Sequence, residues 1–333
     1  MIQTAVLHGS GYVGRELIRL LLQHPKASLN SVTSRTYSNS PLYVAHPSLR
    51  DQQNIQFTSV TEFEFSGIDV IFVAAEHGKG AASVRTLIEN GYPGCIIDMS
   101  SDFRFTDVSQ FESLFKVDHP APELITEFSY GQPELFAPYS TRYIANPGCF
   151  ATGMLLAVWP LHLNCDKANL SITALTGASG SGIRPKQTTH FPERDGNIRA
   201  YKVLEHQHLQ EIIQFINPGL SIAMVPVSGP WTRGIWGTVQ LNTPAEQSEI
   251  ARWFENVYSH HSLVRLWPDT LPELQYSVGS PYCDLGWVVQ GNHLVIGFAI
   301  DNMLRGAASQ AIQNMNLLMN LPVETGLVPE ALL

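Results

Sequence analysis

The stretch Ala5-Val6-Leu7-His8-Gly9-Ser10-Gly11-Tyr12-Val13-Gly14 decides the fold, because an apolar run leads directly into a glycine-rich turn. Apolar residues then recur at helical spacing over Glu16–Gln23, so the turn joins a predicted strand to a predicted helix. The G-x-G-x-x-G spacing lets the backbone turn sharply and approach a pyrophosphate at the helix N-terminus. We therefore predict that residues 9–14 bind a dinucleotide; the alternative is an ordinary strand-to-helix turn.

The end of the second predicted strand, Ala27–Thr33, indicates which dinucleotide is bound. An NAD site usually places Asp or Glu there, where the carboxylate holds the ribose 2′-hydroxyl. This chain has Ser34 and Arg35 instead, and a hydroxyl beside a guanidinium suits a 2′-phosphate. The pair favours NADP(H) as the cofactor; the alternative is a solvated surface arginine.

Strands and helices alternate in the first half of the chain. The apolar runs Asp69–Ala75 and Cys95–Asp98 are typical of strands buried on both faces, and Ala81–Glu89 between them is predicted to be a helix. This alternation predicts an α/β fold built on a Rossmann-type doubly wound parallel sheet.

The pattern changes after Cys149. Period-two stretches predict an α+β domain with a mixed or antiparallel sheet, and they cover Leu170–Leu175, Ser221–Val227, Ile235–Leu241 and His293–Ile300. The predicted organisation is a dinucleotide-binding domain at 1–148, completed by a C-terminal helix at 306–333. A catalytic and oligomerisation domain is predicted at 149–305.

Composition excludes several classes of function. The 333 residues carry a net charge of −9 without a basic run, which argues against a nucleic-acid partner. The four cysteines form no CxxC pair, so neither a structural zinc site nor a disulfide scaffold is indicated. The N-terminus does not resemble a signal peptide, and no apolar run reaches the roughly 20 residues of a membrane helix. We expect a cytoplasmic protein without a membrane partner.

Cys149 follows the turn Asn146-Pro147-Gly148 and precedes a predicted helix at Ala151–Val158. A helix N-terminus lowers the pKa of a thiol, and its N–H groups can stabilise an oxyanion beside the sulfur. The turn therefore favours a nucleophile over a buried, inert cysteine. A thiolate beside a nicotinamide cofactor can attack an activated acyl group, and a hydride then reduces the thioester to an aldehyde.

A series of motifs runs nearly from end to end of the chain in the order of one enzyme family. They are Gly9-Ser10-Gly11-Tyr12-Val13-Gly14, Asp98-Met99-Ser100-Ser101-Asp102-Phe103-Arg104, Tyr130-Gly131-Gln132-Pro133-Glu134, Asn146-Pro147-Gly148-Cys149, Thr176-Gly177-Ala178-Ser179-Gly180-Ser181-Gly182, His206-Gln207-His208-Leu209-Gln210-Glu211-Ile212, Arg233-Gly234-Ile235, Cys283-Asp284-Leu285-Gly286 and Asp301-Asn302-Met303-Leu304-Arg305-Gly306-Ala307-Ala308. Through them the chain resembles the N-acetyl-γ-glutamyl-phosphate reductases, within the aspartate-semialdehyde dehydrogenase superfamily.

The resemblance implies an activity and a set of site residues. The activity is NADPH-dependent reduction of N-acetyl-γ-glutamyl phosphate to N-acetyl-glutamate semialdehyde and phosphate through a Cys149 thioester, in arginine biosynthesis. His208 is the expected acid/base, and a homo-oligomer, dimer or tetramer, is the expected assembly. The residues expected to bind the substrate are Arg104, Asn146, Tyr201, His206, Glu211 and Arg233. Those expected to bind the cofactor are residues 9–14, Ser34, Arg35, Ser179, Gly180 and Asn302.

Several alternatives stay open at the level of sequence. The spacing of His206 and His208 does not decide which one is the acid/base, and either Arg104 or Arg233 could hold the phosphate. A metal site at the two histidines lacks a convincing further ligand, so no metal is expected. The substrate could instead be aspartyl or aminoadipyl phosphate. A non-catalytic dinucleotide-binding sensor would keep the same fold, but it would not need Cys149 and His208.

The chain departs from the family pattern at a few positions. His8 stands where Gly or another small residue is common, and Gln132 replaces a usual Leu. In the histidine motif, Gln207 stands where Arg is usual, and Leu209-Gln210 where a Pro commonly precedes Glu211. None of these changes removes the nucleophile or the histidines.

Overall fold

The apolar runs of the first half form one sheet in the computed structural model, which describes residues 1–52 and 54–328. Within those residues, seven parallel strands lie in the order β3-β2-β1-β4-β5-β7-β6. The strands are β1 Ile2–Leu7, β2 Ala27–Thr33, β3 Phe57–Thr58, β4 Val70–Val73, β5 Cys95–Asp98, β6 Ser129–Tyr130 and β7 Tyr143–Ala145. All four residues of β4 are fully buried, which confirms the doubly wound parallel sheet with helices on both faces.

The helices of this sheet are amphipathic or short. They are α1 Tyr12–Gln23, α2 Leu42–Ala45, α3 Gly80–Glu89, α4 Val108–Phe115 and α5 Pro133–Phe136. α1 buries its apolar stripe of Leu17, Ile18, Leu20 and Leu21, as the spacing in the sequence predicts. The sheet belongs to the first of two compact units, which comprises Met1–Pro147 and the chain from Ala307 onward.

The second unit, Gly148–Gly306, contains a mixed sheet, as predicted. Its order is β12-β13-β14-β11-β8-β10-β9, with parallel pairs only at β12-β13 and β8-β10. The strands are β8 Ala168–Thr176, β9 Arg199–Ala200, β10 Leu220–Ser228, β11 Ile235–Asn242, β12 Val264–Pro268, β13 Cys283–Gln290 and β14 His293–Ile300. The helices are α6 Cys149–Asn164, α7 Phe191–Arg194, α8 Gln207–Ile213, α9 Gln247–Tyr258 and α10 Leu274–Ser277.

The predicted C-terminal helix at 306–333 is too long. A π-helical turn over Leu304–Ala308 leads into α11 Ser309–Leu318, where the helix ends. Asn320 adopts a left-handed φ of 56°, and the N–H of Leu321 donates to the carbonyl of Asn316, which closes the helix in the manner of a Schellman motif. The Asn316 side chain also donates to the carbonyls of Val323 and Thr325, so the following chain is held as a loop. Residues 329–333 of the prediction lie outside the described residues.

Candidate active site

The predicted dinucleotide loop joins β1 to α1, and close contacts require two of its glycines, Gly9 and Gly14. A Cβ on Gly9 would lie 2.5 Å from Cγ1 of Val32, and one on Gly14 would lie 2.3 Å from the carbonyl oxygen of Gly9. A Cβ on Gly11 would meet nothing within 4 Å, so the backbone is open to a ligand there. The loop therefore fits a pyrophosphate that approaches the N-terminus of α1. Tyr12 and Val13 form the first turn of that helix.

Ser34 and Arg35 follow β2 directly. The buried Ser34 hydroxyl donates to Oγ of Ser10 at 3.1 Å and accepts from the N–H groups of Thr36 and Tyr37, so it closes the turn after the strand. The Arg35 side chain is exposed at the same sheet edge. Ser34 and Arg35 therefore present a hydroxyl and a guanidinium at the end of β2, where an NAD site usually places a carboxylate.

Cys149 is the first residue of α6, and Gly148 with extended backbone angles caps that helix. The body of α6 is apolar and buried, so the N–H groups of its first turn lie at the end of a dipole shielded from water. The N–H of Gly148 donates to Oε1 of the buried Glu211 at 2.7 Å. This bond fixes the turn immediately before the thiol.

Gly306 determines how the Cys149 side chain is seated. A Cβ on Gly306 would lie 2.6 Å from Cβ of Cys149 and 3.0 Å from its Cα. The π-helical turn that carries Gly306 is in turn anchored by Asp301, whose Oδ1 accepts from the N–H groups of Met303 and Leu304. Asp301 and Gly306 both lie in the sequence motif at 301–308. Nothing in the local sequence indicated that Gly306 lies against Cys149.

Both motif histidines lie on the same side of α6. His206 is the N-cap of α8 with extended angles, so its ring and that of His208 are not separated as they would be inside a helix. The two ring centroids are 4.7 Å apart, and they lie 5.3 Å and 6.0 Å from the ring of Phe150, the residue after the thiol. The spacing of the pair is therefore compatible with a shared site.

The electrostatics of the His206 ring are set by burial. Burial, with a smaller contribution from Lys202, lowers the pKa of His206 to about 4. The ring is therefore neutral near pH 7, and its Nδ1 accepts from the main-chain N–H of His208 at 3.1 Å. A neutral histidine fixed in this way is suited to binding and positioning.

Tyr201 and Glu211 lie near the two histidines. The ring centroid of Tyr201 is 5.6 Å from that of His206. Burial raises the pKa of the Tyr201 phenol, and the nearby Cys149 sulfur contributes in the same direction, so the phenol keeps its proton. Glu211 lies one turn after His208 on α8, which places both side chains on one helical face.

A second cluster joins Arg233 to three residues distant in sequence. The Nε of Arg233 donates to Oδ2 of the fully buried Asp301 at 2.6 Å, while the arginine side chain is 24% exposed. Next to it, Asn302 accepts from the N–H of Gly234 at 2.7 Å and donates to Oγ of Ser179 at 3.0 Å. Gly180 follows Ser179 on a short exposed turn. Asp301 is the member of this cluster that the sequence interpretation missed.

Arg104 and Asn146 lie together in the first unit. The Arg104 guanidinium is 8% exposed and donates to the main-chain carbonyls of Asn146, at 2.8 Å, and Met99, at 3.0 Å. The Asn146 side chain accepts from Asn314 and donates to the carbonyl of Ala307. These contacts brace the chain just before Pro147.

Two other kinds of feature are absent from the part of the chain that the structure describes. Within residues 1–52 and 54–328, no group of three or more His, Cys, Asp or Glu side chains could hold a metal ion. In the same part of the chain, no helix is long and apolar enough to cross a membrane.

Comparison with known proteins identifies the family. Residues 3–140 match the family described as semialdehyde dehydrogenase, NAD binding domain, and residues 149–302 match semialdehyde dehydrogenase, dimerisation domain. The N-acetyl-gamma-glutamyl-phosphate reductase of Methanocaldococcus jannaschii is 35% identical, over 98% of each chain. The putative [LysW]-L-2-aminoadipate 6-phosphate reductase of Thermomicrobium roseum is 33% identical, over 98% of this chain and 97% of that protein.

A solved structure supports the fold. Aspartate semialdehyde dehydrogenase II of Vibrio cholerae superposes with a TM-score of 0.72 at 16% identity, over 96% of this chain and 98% of that one. The matched NAD binding domain contains most of the parallel sheet, and the matched dimerisation domain contains the mixed sheet. The chain therefore belongs to the N-acetyl-gamma-glutamyl-phosphate reductase family, oxidoreductases of the semialdehyde dehydrogenase type that use a nicotinamide dinucleotide.

Proposed function

We propose that the chain reduces N-acetyl-γ-glutamyl phosphate to N-acetyl-glutamate semialdehyde and phosphate, with NADPH as reductant and Cys149 as nucleophile. The observation that carries the proposal is Cys149 as the first residue of a buried apolar helix, followed by Phe150, which contacts two histidine rings. With this substrate, the enzyme acts in arginine biosynthesis.

The reaction divides into an acylation and a reduction. The Cys149 thiolate attacks the acyl carbon, the bond to the phosphate oxygen breaks, and a thioester and phosphate result. The N–H groups at the start of α6 stabilise the oxyanion of each tetrahedral adduct. The bound cofactor supplies a hydride to the thioester carbon. The carbon–sulfur bond then breaks, which releases the aldehyde and regenerates the Cys149 thiol.

His208 is the proposed acid/base for these steps. It accepts the thiol proton before attack and returns a proton to the sulfur when the adduct collapses. His206, neutral and held by its bond to the N–H of His208, is proposed to bind substrate. Tyr201 and Glu211 position the histidines and the Gly148 turn, respectively.

The other predicted site residues are assigned by charge and position. Arg233, anchored by Asp301 and partly exposed, is proposed to bind an anionic group of the substrate. Arg104 and Asn146 are proposed to bind the substrate. Ser179, Gly180 and Asn302 are proposed to contact the cofactor.

One assay tests the reaction and its substrate. The purified enzyme is given phosphate, NADP⁺ and one of three semialdehydes: N-acetyl-glutamate, aspartate or a carrier-bound aminoadipate semialdehyde. We expect phosphate-dependent reduction of NADP⁺ with the first. Faster turnover with another semialdehyde would mean that the corresponding acyl phosphate is the substrate. The similarity to the Thermomicrobium roseum protein makes the aminoadipyl compound the alternative to compare. Failure with all three would support the sensor hypothesis.

The nucleophile is tested by Cys149→Ser. We expect turnover to be lost while the cofactor still binds, because the change removes the thiolate and leaves the loop at 9–14 intact. Cys165→Ser is the matched control, since that cysteine lies just after the other end of α6. Substantial activity of Cys149→Ser would overturn the thioester mechanism.

The two histidines are separated by steady-state kinetics. His208→Asn should lower kcat by roughly a hundredfold or more, the usual effect of losing a general acid/base. His206→Asn should mainly raise KM, because ground-state contacts are lost. A large kcat loss in His206→Asn but not in His208→Asn would exchange the two assignments.

The preference for NADP(H) is tested at Arg35. Arg35→Ala should weaken NADPH binding and leave NADH binding nearly unchanged, since only NADPH carries the 2′-phosphate. Equal weakening of the binding of both cofactors would show that Arg35 does not recognise that phosphate.

The four cysteines form no disulfide, which is consistent with the cytoplasmic location that we propose.

A further inference from the structure

His8 has a backbone conformation that residues other than glycine seldom adopt. It follows β1 and directly precedes Gly9, and its φ is 59°, in the left-handed region that favours glycine. Glycine would adopt this conformation at lower cost, because it has no Cβ. A strained residue next to a ligand loop is a reason to ask what its side chain does.

The His8 ring has a defined orientation and tautomer. Its Nε2 lies 2.8 Å from Oγ of Ser83 on α3, and the Ser83 hydroxyl itself donates to the carbonyl of Lys79 at 3.2 Å. Because the hydroxyl proton is used there, Nε2 carries the ring proton and donates to Ser83. Nδ1 then presents a lone pair, and it has no hydrogen-bond partner among the residues that the structure describes.

Positive charge surrounds this ring at the carboxyl edge of the sheet. Arg35 follows β2, His8 follows β1 and Lys79 precedes α3, so the three basic side chains come from the ends of three adjacent strands, β2, β1 and β4. Glu76 also faces the ring, and it is paired with Lys79 at 2.5 Å. This edge is where dinucleotides bind in such sheets.

We propose that His8 is a further specificity residue for NADP(H), which takes up one proton from solvent at Nδ1 when the 2′-phosphate binds beside Arg35 and donates that proton to the phosphate as a charged hydrogen bond. The proposal rests on the proposed preference for NADP(H). It assigns a role to one of the residues at which this chain departs from the family pattern.

The proposal makes NADPH affinity depend on pH in one direction. Burial is the main cause that lowers the pKa of His8 in the unliganded protein, and the charges of Arg35 and Lys79 add to it against Glu76, so the ring is neutral near pH 7. A bound dianion raises that pKa, so protonation and binding support each other. Affinity for NADPH should therefore increase as pH falls between the two pKa values of His8. NADH lacks the phosphate and should not show this increase.

The test compares proton uptake in the wild type and in His8→Asn. Asparagine is chosen because it tolerates a positive φ better than other residues and does not titrate. Calorimetry of NADPH binding at pH 7, in two buffers with different ionisation enthalpies, gives the number of protons taken up. We expect a greater uptake in the wild type than in His8→Asn, and no such difference with NADH. The NADPH dissociation constant of His8→Asn, divided by that of the wild type, should also increase several-fold as the pH falls from 8.5 to 6.5. One proton limits this change to about tenfold per pH unit.

Each other outcome decides a different point. Equal proton uptake in both proteins, with NADPH still preferred over NADH, overturns the role of His8 alone. A difference that is also seen with NADH means that His8 responds to the pyrophosphate, and it overturns the assignment to the 2′-phosphate. Equal affinity of the wild type for both cofactors overturns the proposed NADP(H) preference and this inference with it. If His8→Asn does not fold, His8→Gly, which removes the backbone strain, replaces it.

Discussion

Gly306 shows how one missing side chain can set the geometry of a nucleophile. A methyl group there would meet Cβ and Cα of Cys149, neither of which can move by rotation of a side chain. Gly306→Ala should therefore displace the thiol, and we expect kcat to fall at least tenfold, since small misplacements of reacting groups are costly.

The Gly306→Ala measurement needs a check on folding and on the cofactor. The thermal midpoint and the dissociation constant of the cofactor should stay close to those of the wild type, because residues 9–14 are unaltered. The rate of Cys149 alkylation should change together with kcat. Wild-type turnover in Gly306→Ala would mean that the turn relaxes without moving the thiol.

His206 should also make the stability of the second unit depend on pH. Its pKa is about 4 in the folded protein and near 6.5 when unfolded, so the unfolded chain takes up a proton first as the pH falls. The stability due to the neutral ring is complete above pH 6.5 and is lost progressively toward pH 4, on the order of 3 kcal/mol in all. Urea unfolding at pH 7 and pH 5 should show a smaller pH effect in His206→Asn than in the wild type. An identical pH effect in both proteins would contradict this assignment.

At the scale of elements, Glu211 connects α8 to the start of α6 through the N–H of Gly148. Both groups are buried, so removal of the acceptor leaves a donor without its bond and should cost about 1–3 kcal/mol. Glu211→Ala should lower the stability by that amount and also lower kcat, because the turn before Cys149 is loosened.

The matched variants for Glu211 separate hydrogen bonding from charge. Glu211→Gln keeps an acceptor oxygen and should recover most of the stability. Gln210→Ala changes the preceding residue of the same helix and should leave both quantities unchanged. If Glu211→Gln is as damaging as Glu211→Ala, the carboxylate charge and not the bond to Gly148 is what matters.

Elements with a local signal could be predicted from the sequence. β2 and β14 have the predicted ends, because apolar β-formers bounded by turns define them. Three elements, α9, β12 and β13, were not predicted. The helix α9 was missed although it is amphipathic. The strand β13 lies inside the mixed sheet, and its sequence lacks the alternation that indicates strands. The predicted end of α11 was wrong because Asn316 and Asn320 end this helix. Polar residues of this kind leave no signal in the apolar periodicity.

The site was predictable to a similar extent. The thiol turn and the glycine loop are contiguous motifs whose chemistry can be inferred from residue type and order. The pairing of Arg233 with Asp301 joins residues 68 positions apart, and the seating of Cys149 against Gly306 joins residues still further apart. Such contacts depend on the sheet order of the second unit, which the sequence pattern did not specify.

At the scale of the whole molecule, an exposed apolar segment indicates an assembly. Residues 183–204 of the second unit include Phe191, 74% exposed, and Ile198, 62% exposed, together with exposed Ile183, Val203 and Leu204. Large exposed apolar patches mark interaction sites in soluble proteins. The segment lies within the domain whose family is described as a dimerisation domain, so we propose that a second copy of the chain covers it.

This assignment predicts the effect of charge on the oligomeric state. The double substitution Phe191→Glu and Ile198→Glu places two carboxylates where we propose that apolar side chains are buried, and desolvation of unpaired charge should weaken the association strongly. Sedimentation equilibrium should show the wild type as a dimer or tetramer and the double variant mainly as a lower species. Leu163→Glu is the matched control, because Leu163 is 57% exposed near the end of α6, outside the segment, and its substitution should leave the mass unchanged. Turnover should fall with dissociation, since the same segment contains Tyr201 and ends just before His206. A double variant that keeps the wild-type mass would show that the partner chain contacts another surface.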